Sequence, residues 1–567
     1  MRHSPYLALA LLCACGQSDQ TTGITDSSTG AQTSGSSEST ETGDETTSST
    51  SAGPTTDGTA GSSTGSTSSM TASTSASTTD ATTDATTGDP PPLELWDEHR
   101  GALHVHSPFS HDACDGAGLM NGVPNASCLA DLRAAICATG LDFVHLTDHP
   151  SYMKEHPFEA LLLYKPGDEL VLEDGAPIAN RIACPDDSSA LLTVGYESTH
   201  TLPLGLRHHV DEAFYGGLTD QDALADSQAL VAALQGAGAF VAIAHSEEED
   251  LSAQRIIDAG LDGMEWYNPH GNFLTALGGD TLGGDLNDVL GLIDGLSAFM
   301  VGSDSGAHPD LVYLWLLPSW PQEGFDKWRE VLRARPITGL LGDDVHQNVS
   351  VDPICAFGDP LLQAACVAAA EAALPPSLAG LVSGGSLIML DGDRLDSYAR
   401  ILRWLENRAL LPPGEALTPD TLRAALQQGR SYGLFSVFGD PEGFAFVADT
   451  GDATLQIGDS HAGPLALTVQ TPTPAPFGNG GAEFTDAQAS TVKLRAALFH
   501  TDSEGTEEVA SLDGPGARLE YDAASPGAYH VELWVYPEHL REALGDQEAL
   551  ADTEYLWVIS NPIFVEG

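Results

Sequence analysis

Seven short apolar runs of strand character follow one another between Gly101 and Asp344. They occupy residues 102–106, 142–147, 191–197, 240–245, 262–267, 298–303 and 336–342. Most are separated by stretches of helical periodicity, such as residues 131–138, 223–234 and 325–333. Strand-length runs that alternate with helices indicate parallel strands joined by helical crossovers. The pattern therefore predicts an α/β fold, and we expect an α/β barrel over this region.

Polar residues cluster where these runs end. In the first run His104 and His106 alternate with apolar residues, so both imidazoles lie on one face of the strand. The other positions at or near run ends are Asp112, Asp148, His149, Glu197, His245, Asp304, Asp343, Asp344 and His346, and Glu265 lies within the fifth run. A single histidine at a strand end is usually a surface residue, but recurrence on successive strands is not explained that way. Because the C-terminal strand ends of a parallel barrel carry its active site, and imidazoles with carboxylates suit zinc, manganese or iron, we predict a metal site there.

The pattern of apolar and polar residues changes after the predicted barrel region. Two helical stretches, residues 396–406 and 419–428, are followed from about residue 445 by short alternating runs between turn-rich segments. This pattern is typical of a β-sandwich of immunoglobulin-like size, although no Cys, Trp, Cys arrangement and no ligand cluster accompany it. We predict a barrel domain at residues 93–440 and a β-sandwich at residues 441–567, with a structural role favoured over carbohydrate or envelope binding.

The N-terminus is expected to direct export. Arg2 precedes an apolar run at residues 6–12 that is too short to span a bilayer, and Cys15 follows in a sequence that resembles a bacterial lipobox. Residues 1–15 are interpreted as signal peptide and lipobox, and residues 16–92, rich in Ser and Thr, as a disordered tether. We therefore expect a secreted lipoprotein of the bacterial cell envelope, held at the membrane by its lipid anchor alone. An ordinary cleaved signal that contains cysteines is the alternative.

The net charge excludes some classes of binding partner, and the cysteine content predicts disulfides. A formal net charge of -59 argues against nucleic acid and against anionic membrane surfaces, because both need a basic face. Beyond the lipobox lie Cys114, Cys128, Cys137, Cys184, Cys355 and Cys366, none in a Cys-x-x-Cys pair. In an exported protein these indicate disulfides before metal ligands, and Cys114 with Cys128 and Cys355 with Cys366 are the local pairings we suggest.

Five short motifs occur in an order that resembles one known family. They are GALHVHSPFSHD from Gly101, LTDH from Leu146, GYES from Gly195, AIAHS from Ala242 and GDDVH from Gly342. In this order and spacing they resemble the polymerase and histidinol phosphatase (PHP) family of metal-dependent phosphoesterases over about 250 residues. The resemblance implies a distorted seven-stranded barrel, in agreement with the number of apolar runs.

The resemblance also implies a ligand set. The first metal would be bound by His104, His106, Glu197 and Asp344. Glu197 would bridge to a second metal, which would also be bound by His245 and by His208 or His209. A third metal would be bound by His149, His346 and Asp112. An extra residue, His111, competes with Asp112 for its role. The segment around Asp304 and His308 mimics the last motif one strand too early and is interpreted as a rim loop. Arg207 is a candidate phosphate contact, although a solvated loop position is the favoured interpretation.

These residues predict a metal-dependent hydrolase, most simply a phosphoesterase. Two or three divalent ions (Zn, Mn or Fe) would lower the pKa of a water molecule and supply hydroxide near neutral pH. The expected substrate is a phosphorylated small molecule or another ester, and Glu197, His149 and Asp344 are the expected catalytic residues. The alternative is a non-catalytic surface lipoprotein that keeps a structural metal and binds a partner through its C-terminal β domain.

Overall fold

A computed structural model describes residues 93–247, 251–269, 299, 308–316, 322–348, 382–383, 386–389, 391–478 and 480–567. The lipobox with Cys15, the tether, the strand predicted at residues 298–303, Asp304 and the pairing of Cys355 with Cys366 lie outside these residues. Within them, no helix is long and apolar enough to cross a membrane.

The described residues form 27 strands, numbered here in chain order. They are β1 Asp97–Val105, β2 Leu119–Met120, β3 Val123–Pro124, β4 Phe143–Leu146, β5 Glu169–Glu173, β6 Ala176–Ala183, β7 Ser189–Val194, β8 Thr201–Leu204, β9 Phe240–Ile243, β10 Gly263–Tyr267, β11 Thr338–Leu341, β12 Val382–Ser383, β13 Ser386–Leu387, β14 Glu406–Leu411, β15 Ser431–Leu434, β16 Asp440–Glu442, β17 Ala445–Asp449, β18 Thr454–Leu455, β19 Ser460–Ala462, β20 Leu465–Gln470, β21 Thr473–Ala475, β22 Lys493–Thr501, β23 Thr506–Asp513, β24 Arg518–Ala523, β25 Gly527–Tyr536, β26 Tyr555–Ser560 and β27 Ile563–Glu566.

The α-helices are short and lie mostly between the strands. They span Ala126–Thr139, Pro150–Met153, Phe158–Leu161, Leu224–Gly236, Ala253–Ala259, Tyr313–Leu316, Gln322–Leu332, Tyr398–Ile401, Pro419–Gln427, Asp486–Ala489 and Arg541–Leu544. The three helical stretches predicted within the barrel region all fall on helices. The helix predicted at residues 396–406 is reduced to four residues, because the chain enters β14 at Glu406 to pair with β1 and β15.

Six of the seven predicted runs are strands, and the strands confirm a mixed α/β fold. β1, β4 and β7 pair in parallel, and so do β10 and β11. Their C-terminal ends therefore point the same way within each sheet, as the sequence pattern predicted.

The closed barrel is not confirmed. Among the described strands, β10 pairs with β11 alone, β9 pairs with β8 in antiparallel orientation, and β1 belongs to a separate 13-stranded sheet. Asparagine side chains satisfy the free edge of β11: the Asn407 amide bonds the backbone N–H and C=O of Leu341 at 2.9 and 2.8 Å, and Asn561 does the same for Gly339 at 2.8 and 3.0 Å. Because backbone groups must be paired when buried, these amides stand where a neighbouring strand would complete a ladder.

The C-terminal region is rich in β-structure, as predicted. One four-stranded sheet has the order β18-β17-β20-β24, and strands β22, β23, β25, β26 and β27 belong to the same large sheet as β1. The antiparallel pairing of β15 with β26 carries that sheet across the predicted boundary at residue 440. The immunoglobulin-like arrangement of this region stays a prediction.

Two disulfides are present among the described cysteines. Cys114 pairs with Cys128, as the sequence suggested, and Cys137 pairs with Cys184, which it did not. The second bridge ties the C-terminal end of the helix Ala126–Thr139 to the residue after β6.

Candidate metal centre

Two segments meet at the end of β1 and create the site. The backbone N–H of His106 donates to the Val345 carbonyl at 3.0 Å, and the Val345 N–H donates to the His104 carbonyl at 3.3 Å. This parallel bridge joins the GDDVH segment after β11 to the His-x-His segment of β1. Residues from the two motifs, 240 positions apart in the chain, thus line one space.

Four buried side chains form what we call the first cluster: His104, His106, Glu197 and Asp344. Their nearest ligand atoms all lie within 4.8 Å of one another. The Nε2 atoms of His104 and His106 are 3.1 Å apart, and each lies 3.3 Å from Oε2 of Glu197. His245 adds a third imidazole, with Nε2 2.9 Å from Oε1 of Glu197. The two oxygens of Glu197 therefore face different histidines, the arrangement that a bridging carboxylate needs.

A second cluster shares His106 and adds Asp112, His149 and His346. Oδ2 of Asp112 lies 3.3 Å from Nε2 of His149 and 3.2 Å from Nε2 of His346. Between the two alternatives for this loop, the structure places Asp112 among the ligand atoms. The His111 ring instead packs against the His149 ring, with 4.9 Å between centroids.

All five imidazoles have the same orientation. Nε2 faces the clusters, while Nδ1 lies against a further partner; for His346 alone, Nδ1 also lies 3.2 Å from Oδ1 of Asp344 in the first cluster. These partners are the Glu265 carboxylate for His104 at 2.7 Å, Ser110 Oγ for His106 at 3.0 Å, the Glu197 carbonyl for His149 at 3.1 Å, the Glu247 carboxylate for His245 at 3.5 Å and the Asp344 carbonyl for His346 at 3.1 Å. Metal-binding histidines in proteins are oriented in this way, because an acceptor at one ring nitrogen holds the proton there and leaves the other nitrogen free to bind the ion.

The backbone at the site adopts conformations that side chains rarely accept. His245 has φ 51° and Asp344 has φ 46°, both in the left-handed region. Such positions cost energy and persist where surrounding structure fixes them, often at functional sites. Here the His245 backbone N–H donates to Oε2 of Glu265 at 2.8 Å, so the carboxylate that orients His104 also holds His245.

Charge within the clusters is set by burial and by neighbours. Burial raises the pKa of the Glu197 carboxyl, but His104 and His149 outweigh it and hold that pKa well below its usual range. Burial, followed by the neighbouring His346, lowers the pKa of His106 to about 3. Burial lowers the pKa of His149, but Glu197 and Asp112 raise it more, to about 10. The carboxylates thus draw positive charge into the clusters, a charge that a bound cation would supply.

Three sequence candidates lie away from the clusters. His208 is exposed, with Nδ1 2.8 Å from the His209 carbonyl, and His209 is engaged by the Tyr215 hydroxyl and the His156 carbonyl. Neither histidine belongs to a candidate metal-binding group among the described residues. The structure therefore does not identify which of the two would bind the second metal. Arg207 pairs with Glu173 and Asp420, which favours the structural interpretation over phosphate contact.

Sequence reasoning overlooked several residues that support the site. Glu265 was noted only as part of a run, and Ser110, which lies against His106 and donates to Asp112 at 2.7 Å, was part of the first motif but was given no role. The Tyr398 hydroxyl donates to the His106 carbonyl at 2.9 Å from 292 positions away. His200, three residues after Glu197, is buried, and its carbonyl accepts from the Ala244 N–H beside His245. The histidine closest in sequence to Glu197 was thus passed over.

The donor set fits divalent metal ions. Imidazole nitrogens and carboxylate oxygens converge from the ends of several strands, and the first cluster is buried whereas Asp112 and His149 of the second are partly exposed. Zinc, manganese and iron all accept such ligands. The identity and number of the ions are not fixed by this geometry.

Comparisons with known proteins add little. No protein family model matches the chain, and no curated protein matches it. Among solved structures, the chain is similar to a two-domain protein from Bacteroides vulgatus ATCC 8482 described as containing a predicted PHP-like metal-dependent phosphoesterase. The identity is 12%, the match covers 83% of this chain and 100% of the other, and the TM-score is 0.27. A likeness at this level carries no argument about function.

Proposed function

We propose that this chain is a metal-dependent hydrolase that cleaves phosphate esters with two or three divalent ions at the two clusters. The observation that carries the proposal is the common orientation of five imidazoles, with every Nε2 facing the carboxylates and Nδ1 of His104, His106 and His149 hydrogen-bonded to a partner outside the clusters. A histidine group that served only to fill a core would not need this alignment. The resemblance of the five motifs to PHP phosphoesterases supports the reaction type.

The residues of the two clusters would have different roles in binding the metal ions. Bound divalent ions supply Lewis acidity, which lowers the pKa of water and neutralises charge on the phosphoryl oxygens. Glu197 lies between His104 and His245 and would hold two ions together through its two oxygens. His149 and Asp112, which are partly exposed, would hold the outer ion on the side open to substrate. Asp344 faces His104, His106 and His245 and would complete the inner ligand set.

The test is metal content and turnover measured on the same purified protein. We expect stoichiometric divalent metal by mass spectrometry and hydrolysis of 4-nitrophenyl phosphate or bis(4-nitrophenyl) phosphate. Glu197→Gln replaces a carboxylate by a neutral amide and should lower kcat/KM by about a hundredfold or more, together with metal content. Glu520→Gln, on the exposed end of an ion pair with Arg518 in β24, is the matched control and should change neither.

Two results would contradict the proposal. Full metal content without turnover of any ester would favour the alternative of a structural metal in a binding protein. Undiminished turnover in Glu197→Gln would show that the reaction does not pass through these clusters.

A further inference from the structure

The ligands of the two clusters are held by different kinds of structure. His106 and Asp344 flank the parallel bridge between Val345 and the end of β1, so strand pairing fixes these inner ligands. Asp112 and His346, which belong to the second cluster, lie beyond that bridge in segments without regular secondary structure. Their positions therefore depend on whatever fastens these two segments.

The two segments are bonded to each other just outside the second cluster. The backbone N–H of Cys114 donates to the His346 carbonyl at 3.0 Å, and the N–H of Asp115 donates to the Gln347 carbonyl at 3.0 Å. Cys114, Asp115 and Gln347 all have left-handed backbone, with φ of 58°, 56° and 58°. Residues other than glycine rarely adopt this conformation, and it persists where the surroundings hold it. The chain after Asp112 therefore needs a further constraint to keep this geometry.

The Cys114–Cys128 disulfide supplies that constraint. It ties Cys114 to the first turn of the helix Ala126–Thr139. Both cysteines are buried, so the bridge is enclosed by the fold. The sulfur of Cys128 also lies 3.6 Å from the Gln347 side-chain oxygen and 3.6 Å from the Tyr398 hydroxyl. The bridge therefore contacts both segments that carry the outer ligands.

The Tyr398 hydroxyl reinforces the same junction. The side chain is buried, and its hydroxyl donates to the His106 carbonyl at 2.9 Å and lies 3.4 Å from the His346 carbonyl. The rings of His106 and His346 stack with 3.7 Å between their centroids. A buried tyrosine hydroxyl usually has a hydrogen-bond partner, and here the two carbonyls that it contacts belong to candidate ligands. Tyr398 thus links the backbones of two residues of the second cluster.

We propose that the Cys114–Cys128 disulfide and Tyr398 are positioning groups for the metal ion of the second cluster, the outer ion. They hold the segment that carries Asp112 against the segment that carries His346, so that the outer ligands are placed before the ion binds. The ions of the first cluster depend on them far less, because strand pairing holds the inner ligands. This inference rests on the proposed function for the presence of divalent ions, but not for the reaction.

The experiment measures zinc bound to the full chain after equilibrium dialysis against chelator-buffered zinc. Cys114 and Cys128 are both replaced by serine, because reduction of the bridge would create thiols that bind zinc themselves. We expect the affinity for the outer ion to fall by about tenfold or more, with the affinity for the inner ions unchanged. Asp112→Asn, which changes a ligand of the second cluster alone, identifies the outer ion in the titration.

The Cys137–Cys184 bridge provides the matched control. Replacing both of its cysteines by serine removes a link of 47 residues instead of 14, so this variant should lose at least as much stability. It should keep its affinity for every ion, because the bridge lies at the other end of the helix Ala126–Thr139. Equal loss of the outer ion in the two serine variants would show general loosening of the fold and overturn the inference.

Tyr398→Phe tests the second positioning group. Loss of one hydrogen bond should weaken binding of the outer ion by about fivefold and leave the inner ions unchanged. Tyr529→Phe is its control, because the buried Tyr529 also donates to a backbone carbonyl, that of Ser525 at 3.0 Å, in the C-terminal region.

A double-mutant cycle separates positioning from a merely structural role. In the Asp112→Asn protein, neither the serine pair at Cys114 and Cys128 nor Tyr398→Phe should weaken zinc binding much further, because both act on the ion that is already weakly bound. Fully additive losses would overturn the inference, as would loss of the inner ions together with the outer one, or no outer ion in the unchanged protein. Zinc binding as expected without turnover of any ester would reject the proposed reaction and leave the positioning role intact.

Discussion

Gly342→Ala should weaken metal binding without touching any ligand. A Cβ atom at this position would lie 2.0 Å from Oε1 and 2.5 Å from Cδ of Glu265, and the next nearest atom is the second oxygen of the same carboxylate at 3.1 Å. Ordinary contact begins at 3.4 Å, so the carboxylate must move by more than an ångström. The 2.7 Å contact with Nδ1 of His104 would then be lost, as would the 2.8 Å hydrogen bond from the His245 N–H.

The magnitude follows from the role of Glu265 as an outer carboxylate. Loss of such a partner typically costs ten- to hundredfold in metal affinity, about 1.4 to 2.7 kcal/mol. We expect that loss in competition titrations with a chelator, and the same loss in Glu265→Gln, because both changes act on one contact. Gly236→Ala is the matched control: its Cβ meets nothing within 4 Å at the end of the helix Leu224–Gly236. Metal affinity within twofold of the unchanged protein in Gly342→Ala would refute the reasoning.

Two further predictions concern stability. Five hydrogen bonds to Asp168, two of them from Arg133, outweigh burial and lower the pKa of this carboxyl to about 2. Because the pKa of Asp168 is depressed, its stabilising effect is complete above the unfolded-state value near 3.8 and is lost as pH falls through about 2. Asp168→Asn should therefore lower the free energy of unfolding in urea by about 2 kcal/mol at pH 7, and by progressively less below pH 4. An unchanged difference between the two proteins at pH 2.5 would contradict this. Replacing both cysteines of the Cys137–Cys184 bridge by serine, which opens a 47-residue separation, should destabilise by about 4 kcal/mol, against about 3 kcal/mol for Cys114–Cys128 with a separation of 14. Calorimetry of the two double variants gives the comparison, and the reverse order would show that native contacts, not chain entropy, dominate.

The clustering of the candidate ligands was predictable from sequence because strand geometry places these side chains together. Alternation in β1 puts His104 and His106 on one face, and the parallel order of β1, β4 and β7 brings His149 and Glu197 to the same end. Asp344 followed from its position after β11. Each of these inferences needs only local period and strand direction, which a single sequence contains.

Other parts of the site depend on information that a local pattern does not hold. Glu265 is the one charged residue in β10, but all five residues of that strand are buried, so the run alone does not show that Glu265 faces His104. Tyr398 reaches the site from a helix that was predicted only as a longer, featureless one. Strand order was also hidden: the pattern shows alternating strands and helices but not that β14 runs antiparallel beside β1.

Asn407 and Asn561 hold the edge of β11, the strand that leads into the candidate metal centre. β11 leads directly into Gly342, Asp343 and Asp344, so the position of this strand sets where the candidate ligand Asp344 lies. On one edge it is held by β10, and on the other by Asn407 of β14 and by Asn561, which follows β26. A side-chain amide that donates and accepts reproduces both hydrogen bonds of a strand neighbour at one residue. The C-terminal β-rich region therefore does more than cover the α/β core, because Asn561 fixes the strand that delivers Asp344.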